Sequence, residues 1–175
     1  MTHNIRFFVP GIPKPGGSKR GFFIPGKGGR KGHVAITEDC KGNKDWRASV
    51  ALAGSIACKQ PFSGPLDVRY AFYFPRPKGH SRSDGIHLRG PAPRHHVTKP
   101  DITKVVRSTE DALKGICWGD DNQVVYQEAR KGYTEPMCHP TPGCLIEIRS
   151  MANAEEPFHP PAEDLLAAEA EERER

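Results

Sequence analysis

The sequence predicts one mixed α/β (α+β) domain, a mixed β-sheet carrying two principal helices. Three observations predict it. Runs such as IRFFV, LDVRYAFYF and GCLIEIRS are rich in aromatic and β-branched residues and read as strands. Two stretches, 44–58 and 103–114, instead repeat apolar residues at helical spacing. At 175 residues the chain has the size of one domain with a real core.

Taken in order, residues 5–9 form a first strand that Pro10 stops. GIPKPGGSKRGFF is a shaped connection, because its prolines and glycines break any period. Its Lys14, Lys19 and Arg20 flank Gly16 and Gly17, where cations and backbone N–H groups can meet a phosphate. A nucleotide-binding P-loop is excluded, since GGSKR runs into the strand-like FFI and not into a helix. PGKGGRKG then reads as a hairpin tip between FFI and HVAIT, projecting Lys27, Arg30 and Lys31. The first helix, 44–58, turns Trp46, Val50, Ala53, Ile56 and Ala57 inward, and LDVRYAFYF follows as a long strand.

Residues 75–98 have no sustained period and carry Arg76, Lys78, Arg82, Arg89 and Arg94 against Asp84 alone. A connection of that length inside a domain reads as a binding loop, here one aimed at phosphates. Its His80, His87, His95 and His96 match no zinc spacing and read as solvated or phosphate-facing. Past the second helix, QVVYQEARKGY and GCLIEIRS supply two more strands. Residues 1–150 form the domain, and 151–175 read as an acidic, flexible tail.

The stretch Lys99–Gln123 organises the rest. A helix from Thr103 to Lys114 sets Val105, Thr109, Ala112 and Leu113 on one face and Lys104, Arg107, Asp111 and Lys114 on the other. Asp101 or Thr103 caps its start and Gly115 ends it. Twelve helical residues span about 18 Å, and an extended return from Gly115 to Asp120 covers about 20 Å. The two arms match, so Asp120 and Asp121 are expected to come back beside Asp101. Carboxylates crowded at one point raise each other's pKa unless a cation holds them, and an all-oxygen site of this kind suits Mg²⁺ or Mn²⁺. A surface turn after a capped helix is the plainer reading of the same residues.

Charge is unevenly spread. Residues 1–150 hold 24 Lys or Arg against 13 Asp or Glu, a net of +11, while 151–175 hold 2 against 8, a net of −6. A basic body favours a polyanion such as nucleic acid. No run is long and apolar enough to span a membrane, and MTHNIRFF lacks a secretory hydrophobic segment. Five irregularly spaced cysteines suit a reducing compartment. The expectation is a soluble protein of the cytoplasm, with no membrane partner.

KPDITKVVRSTEDALKG followed by DDNQVV resembles the core signature of the RusA-type Holliday junction resolvases. GIPKPGGSKRGF is similar to that family's Pro-rich basic opening, and the resemblance covers roughly residues 5–150. It implies a Mg²⁺-dependent endodeoxyribonuclease of bacteria or their phages, homodimeric, that binds four-way DNA junctions and nicks two strands symmetrically. The family's first metal-site aspartate falls on Asp101 and its catalytic aspartate on Asp121, with Asp120 beside it.

Two positions depart from that pattern. Thr103 stands where the family has a second aspartate, and Arg107 where it has a lysine. Thr103 supplies no negative charge, and Arg107 keeps a cation for the transition state but cannot act as a general base. On this reading Asp101, Asp120 and Asp121 hold the metal, Mn²⁺ being a substitute, with Thr103 beside them and Asp111 orienting Arg107. Lys14, Lys19, Arg20, Lys27, Arg30, Lys31, Arg76, Lys78, Arg82, Arg89, Arg94, Lys99 and Lys104 contact DNA backbones. The alternatives are a branched-DNA-binding protein with impaired cleavage, and a nuclease for other branched or flap DNA in phage replication or packaging.

Overall fold

A computed structural model describes residues 4–17, 19–28, 31–38, 40–85, 87–135 and 141–151. The expected tail from 152 onward and Arg30 lie outside the described residues, as do the side chains of Lys19 and Arg20. Six strands and two helices follow in the order β1 (Asn4–Pro10), β2 (Lys19–Ile24), β3 (His33–Glu38), α1 (Asn43–Ala57), β4 (Leu66–Phe74), α2 (Ile102–Leu113), β5 (Val124–Tyr133) and β6 (Gly143–Ser150). Each matches an expected element within a residue or two, apart from the longer basic strand β2.

Four strands make one mixed sheet in the order β1-β6-β4-β5. β6 pairs antiparallel with β1 and β4, and β4 pairs parallel with β5. A parallel neighbour requires a crossover, and the loop after β4 together with α2 supplies it. β2 and β3 form a separate antiparallel ribbon, the expected hairpin. β4 lies at the centre and is buried along its length except at Arg69.

The core joins the sheet to the helices through Val9, Val50, Leu66, Val105, Leu113 and Ile146. Helix α1 meets α2 closely because Gly54 has no side chain: a Cβ there would lie 2.8 Å from Leu113 Cδ2. Trp46 is buried as expected and donates its indole N–H to Thr109 Oγ1 at 3.2 Å. Ile56, expected to face inward, is 63% exposed, because Gly54 and Val50 already fill the contact face.

The Pro-rich opening docks on α2. Gly16 N–H donates to Lys104 O at 2.9 Å, and Asn43 Nδ2 donates to both Pro15 O and Ser108 Oγ, at 2.8 and 2.6 Å. The loop after β4, expected to bind phosphates, covers the far ends of β4 and β5. There His96 is buried between the rings of Phe74 and Tyr133, and burial lowers its pKa, so it is not the solvated or phosphate-facing histidine the sequence suggests. Among the described residues no helix is long and apolar enough to cross a membrane.

Candidate active site

Two groups of carboxylates sit at the two ends of α2. At the N-terminal end, Asp101 is the N-cap residue by backbone, with φ −66° and ψ 136°, but its side chain caps nothing. It lies instead 3.0 Å from Lys104 Nζ, and that hydrogen bond holds its pKa below the usual aspartate value. The backbone leading into it is pinned from β5: Lys131 Nζ donates to Thr98 O at 2.8 Å and to Pro100 O at 2.9 Å. Thr103, next on the first turn, is exposed.

The C-terminal end is built more tightly. Gly115 takes φ +79°, which suits a residue without a Cβ, and its N–H donates to Trp118 O at 2.7 Å. That turn drives the Trp118 ring into the core, fully buried, and its indole N–H donates to Asp121 Oδ1 at 3.0 Å. Asp120 and Gln123 form a capping box on a one-turn 3₁₀ helix, Asp121–Gln123. Gln123 accepts from the Gly119 and Asp120 N–H groups and donates to Phe62 O and Gly64 O, tying the turn to the segment before β4. Lys114 Nζ then lies 3.0 Å from Asp120 and 3.6 Å from Asp121. Its hydrogen bond keeps the Asp120 pKa low, and the same bond raises that of Lys114.

Glu110 joins this end, a residue the sequence reading passed over. Burial raises its pKa, the neighbouring Asp121 charge raises it further, and a bond from Gln127 Nε2 offsets part of the shift. Lys114, Trp118 and Gln123 were also missed as site residues. The pattern D-x-x-Q after a buried-type aromatic was the available signal, since it spells a capping box.

The expected convergence of Asp101 with Asp120 and Asp121 does not occur within one chain. Residues 115–118 are spent on a tight turn and not on an extended return arm, and Lys114, thirteen residues after Asp101, holds the aspartate pair. At about 1.5 Å per residue that leaves the two ends of α2 about 20 Å apart. Among the described residues no three His, Cys, Asp or Glu side chains group to hold a metal ion. The carboxylates of a single chain therefore do not fit a Mg²⁺ site built on all three aspartates. Arg107 lies exposed between the two ends. Asp111, expected to orient it, turns to α1, where Arg47 approaches to 3.7 Å.

The basic residues divide by end as well. Lys78, Arg82, Arg89, Arg94 and Lys99 are exposed on the loop that runs into the Asp101 end, and Lys104 follows on α2. Arg76 and Arg82 line a cleft of about 560 Å³ with Ser81, Ser83 and Thr134. The Arg76 side chain, however, is only 7% exposed: it stacks 4.4 Å over the Tyr133 ring, donates to Pro93 O and pairs with Glu135. It holds the loop together more than it faces solvent. Lys14 is half-buried near Gly42, while Lys27 and Lys31 are exposed beside the hairpin tip.

A family model described as Endodeoxyribonuclease RusA matches residues 18–149. A protein of Bacillus subtilis (strain 168), named uncharacterized protein YqaN, is 31% identical to this chain over 133 residues, 75% of this chain and 89% of that protein.

Proposed function

The chain belongs to the RusA endodeoxyribonuclease family, and from that membership we propose that it cuts four-way DNA junctions by Mg²⁺-dependent hydrolysis, as a homodimer that nicks two strands symmetrically. The observation that carries this reading is the pair of carboxylate groups at the ends of α2, one of them led into by an exposed basic loop. Residues 1–150 are the nuclease unit, and the acidic segment 151–175 is an appendage to it. DNA places the work in the cytoplasm of a bacterial host.

Each part has a separate task. The loop cations Arg82, Arg89, Arg94 and Lys99 meet backbone phosphates, which gives shape selection with little base reading and an affinity that falls steeply with salt. Arg107 remains charged at every accessible pH, so it can face negative charge that builds on a phosphate but takes no proton. Asp121 is presented in a fixed orientation, since Trp118 occupies one oxygen and Lys114 lies near the other. The Asp101 carboxylate meets the exposed Lys104, and Lys131 holds the backbone before it. Mg²⁺, with Mn²⁺ as a substitute, is the proposed cofactor, and neither end alone encloses it.

The test sets a synthetic four-way junction, a flap and a linear duplex against the protein with Mg²⁺, alongside Asp101→Asn and Asp121→Asn. Loss of groups that merely support metal ligands typically costs 10–100-fold, so each substitution is expected to cost at least about a hundredfold in junction nicking. Absence of cutting on every substrate sinks the enzyme reading and leaves a junction-binding protein, the reading Thr103 favours by supplying no carboxylate. Preference for the flap moves the substrate class. Thr103→Asp is expected to raise nicking at low Mg²⁺.

A further inference from the structure

We propose that the cleft between the loop after β4 and the end of β5 binds the terminal phosphate of a DNA strand, with room for the end nucleotide. The phosphate chemistry is read from the cleft itself, whereas DNA as the carrier of that phosphate rests on the proposed function.

Both walls of the cleft are tied by hydrogen bonds of their own. In the loop, Ser81 and Leu88 bridge two short arms, Arg82 N–H donates to His87 O at 2.8 Å, and Arg89 N–H donates to His80 O at 2.9 Å. Gly85, at φ +71°, lets the chain reverse, and its N–H donates to Arg82 O at 3.0 Å. The one carboxylate of this small hairpin, Asp84, accepts from His87 N–H at 3.0 Å and lies 2.8 Å from His87 Nδ1, so it is engaged in its own turn. On the other side, Thr134 N–H donates to Phe74 O at 2.8 Å, and Arg76 N–H donates to Thr134 Oγ1 at 3.3 Å. The chain just past β5 is thereby fixed against the start of the loop.

Three cations and three hydroxyls line the space between, Arg76, Lys78 and Arg82 with Ser81, Ser83 and Thr134, around about 560 Å³. That volume is in the range of small-ligand pockets, about 300–1,000 Å³, but the lining is not the mostly apolar one such pockets have. It selects an anion. Lys78 and Arg82 are exposed, and their side chains pair with no carboxylate among the described residues. The Arg76 side chain is 7% exposed, with Glu135 3.7 Å from Nη2 and Nη1 donating to Pro93 O, and its buried Nε has no partner among the described residues. A nearly buried guanidinium with one donor unused favours negative charge beside it.

An end phosphate fits this set better than a phosphate inside a strand. It carries about −1.5 to −2 charges at pH 7 and three acceptor oxygens, whereas each phosphate along a strand carries a single charge. The hydroxyls of Ser81 and Ser83 have no partner among the described residues, and Thr134 Oγ1, which accepts from Arg76 N–H, still has its proton to donate. Hydroxyl, ammonium and guanidinium donors are thus present for every oxygen of the end group. Position supports a strand as the carrier. Lys131 holds Pro100 O beside Asp101, and Thr134 follows three residues later, about 10 Å along extended chain.

The test uses the full chain without metal, so it does not depend on cutting. Fluorescence anisotropy follows an internally labelled single strand with phosphates at both ends. Its comparison is a strand with hydroxyls at both ends, lengthened by about three or four nucleotides to match the charge. The parent is expected to bind the phosphorylated strand at least about tenfold more tightly. Arg82→Ala is expected to bring that ratio near one and Ser83→Ala to lower it severalfold, both with the parent's thermal unfolding, since both positions are exposed. Lys59→Ala, which removes a charge from an exposed position outside the cleft, is expected to keep the ratio. Equal binding of the two strands by the parent, or a ratio that Arg82→Ala leaves intact, overturns the site. Thymidine 5′-monophosphate competing as well as the phosphorylated strand overturns the strand end as the ligand and gives the cleft to free nucleotides. Junction nicking with Mg²⁺, measured alongside, tests the functional reading separately: end preference without nicking keeps the site and sinks the nuclease, and nicking without end preference does the reverse.

Discussion

The two ends of α2 hold the same kind of side chain by different means. Asp120 and Asp121 sit on a turn fixed from three directions: a buried indole below, a capping box within, and Gln123 reaching to the backbone before β4. Asp101 sits on a helix start whose own side chain makes no cap, and what fixes it is the backbone grip of Lys131. One end is organised by packing, the other by a single long side chain. On the proposed function the difference bears on catalysis, because a carboxylate keeps its aim only if its supporting contacts survive when substrate arrives. The C-terminal end has three such contacts, and the N-terminal end has the grip of Lys131 on the backbone before it.

Removing the buried anchor breaks the comparison most forcefully. Trp118→Ala deletes a fully buried ring under the turn, and large-to-small changes of this kind cost about 3–5 kcal/mol, which denaturant unfolding measures directly. Trp118→Phe keeps most of the bulk and drops only the donor to Asp121, so its cost is expected to be much smaller. Equal losses for the two would mean that the Asp121 hydrogen bond, and not packing, organises that end.

The matching experiment at the other end is Lys131→Ala. Hydrogen bonds to charged groups contribute about 1.5–3 kcal/mol when sheltered, and partial exposure lowers that, so a loss of about 1–2 kcal/mol is expected. Amide hydrogen exchange locates it: protection should fall at 105–108, the first helical amides with a partner, and stay unchanged at 122–123. Loss of protection at both ends would show that the two are one cooperative unit.

These same residues mark how far the sequence could be read. The strands and helices were legible because alternation and 3.6-residue spacing are local properties, and β4, α2 and β6 fall where those periods place them. Asp101, Asp120 and Asp121 stand out in the sequence as well, whereas Glu110 does not. Their arrangement was not, because the expectation of matched arms assumed an extended return after Gly115. A left-handed glycine followed three residues later by a tryptophan that belongs in the core makes a tight turn instead, and a tight turn spends residues without covering distance. Arg76 went the same way. Its charge is plain in the sequence, but the Tyr133 ring that it stacks upon comes from a strand nearly sixty residues later.

The smallest expected effect concerns Glu110, which separates the ends by electrostatics alone. Burial first, and then the charge of Asp121, lift its pKa above the ordinary glutamate value, so the folded protein holds its proton more tightly than the unfolded chain does. Such a group weakens folding at neutral pH, where it must be ionised, and the penalty disappears as pH falls through the raised value to the ordinary one. Glu110→Gln keeps the length and the possibility of a bond to Gln127 while removing the charge. Its melting temperature is therefore expected to lie above the parent's at pH 7 and to approach it once the pH falls below the ordinary glutamate value. A difference that stays constant with pH would mean that the glutamate is ionised at no cost and that the acidic end is as well solvated as the Asp101 end. If instead the variant is the less stable protein at neutral pH, the bond from Gln127 to the ionised Glu110 carboxylate outweighs the cost of burying it.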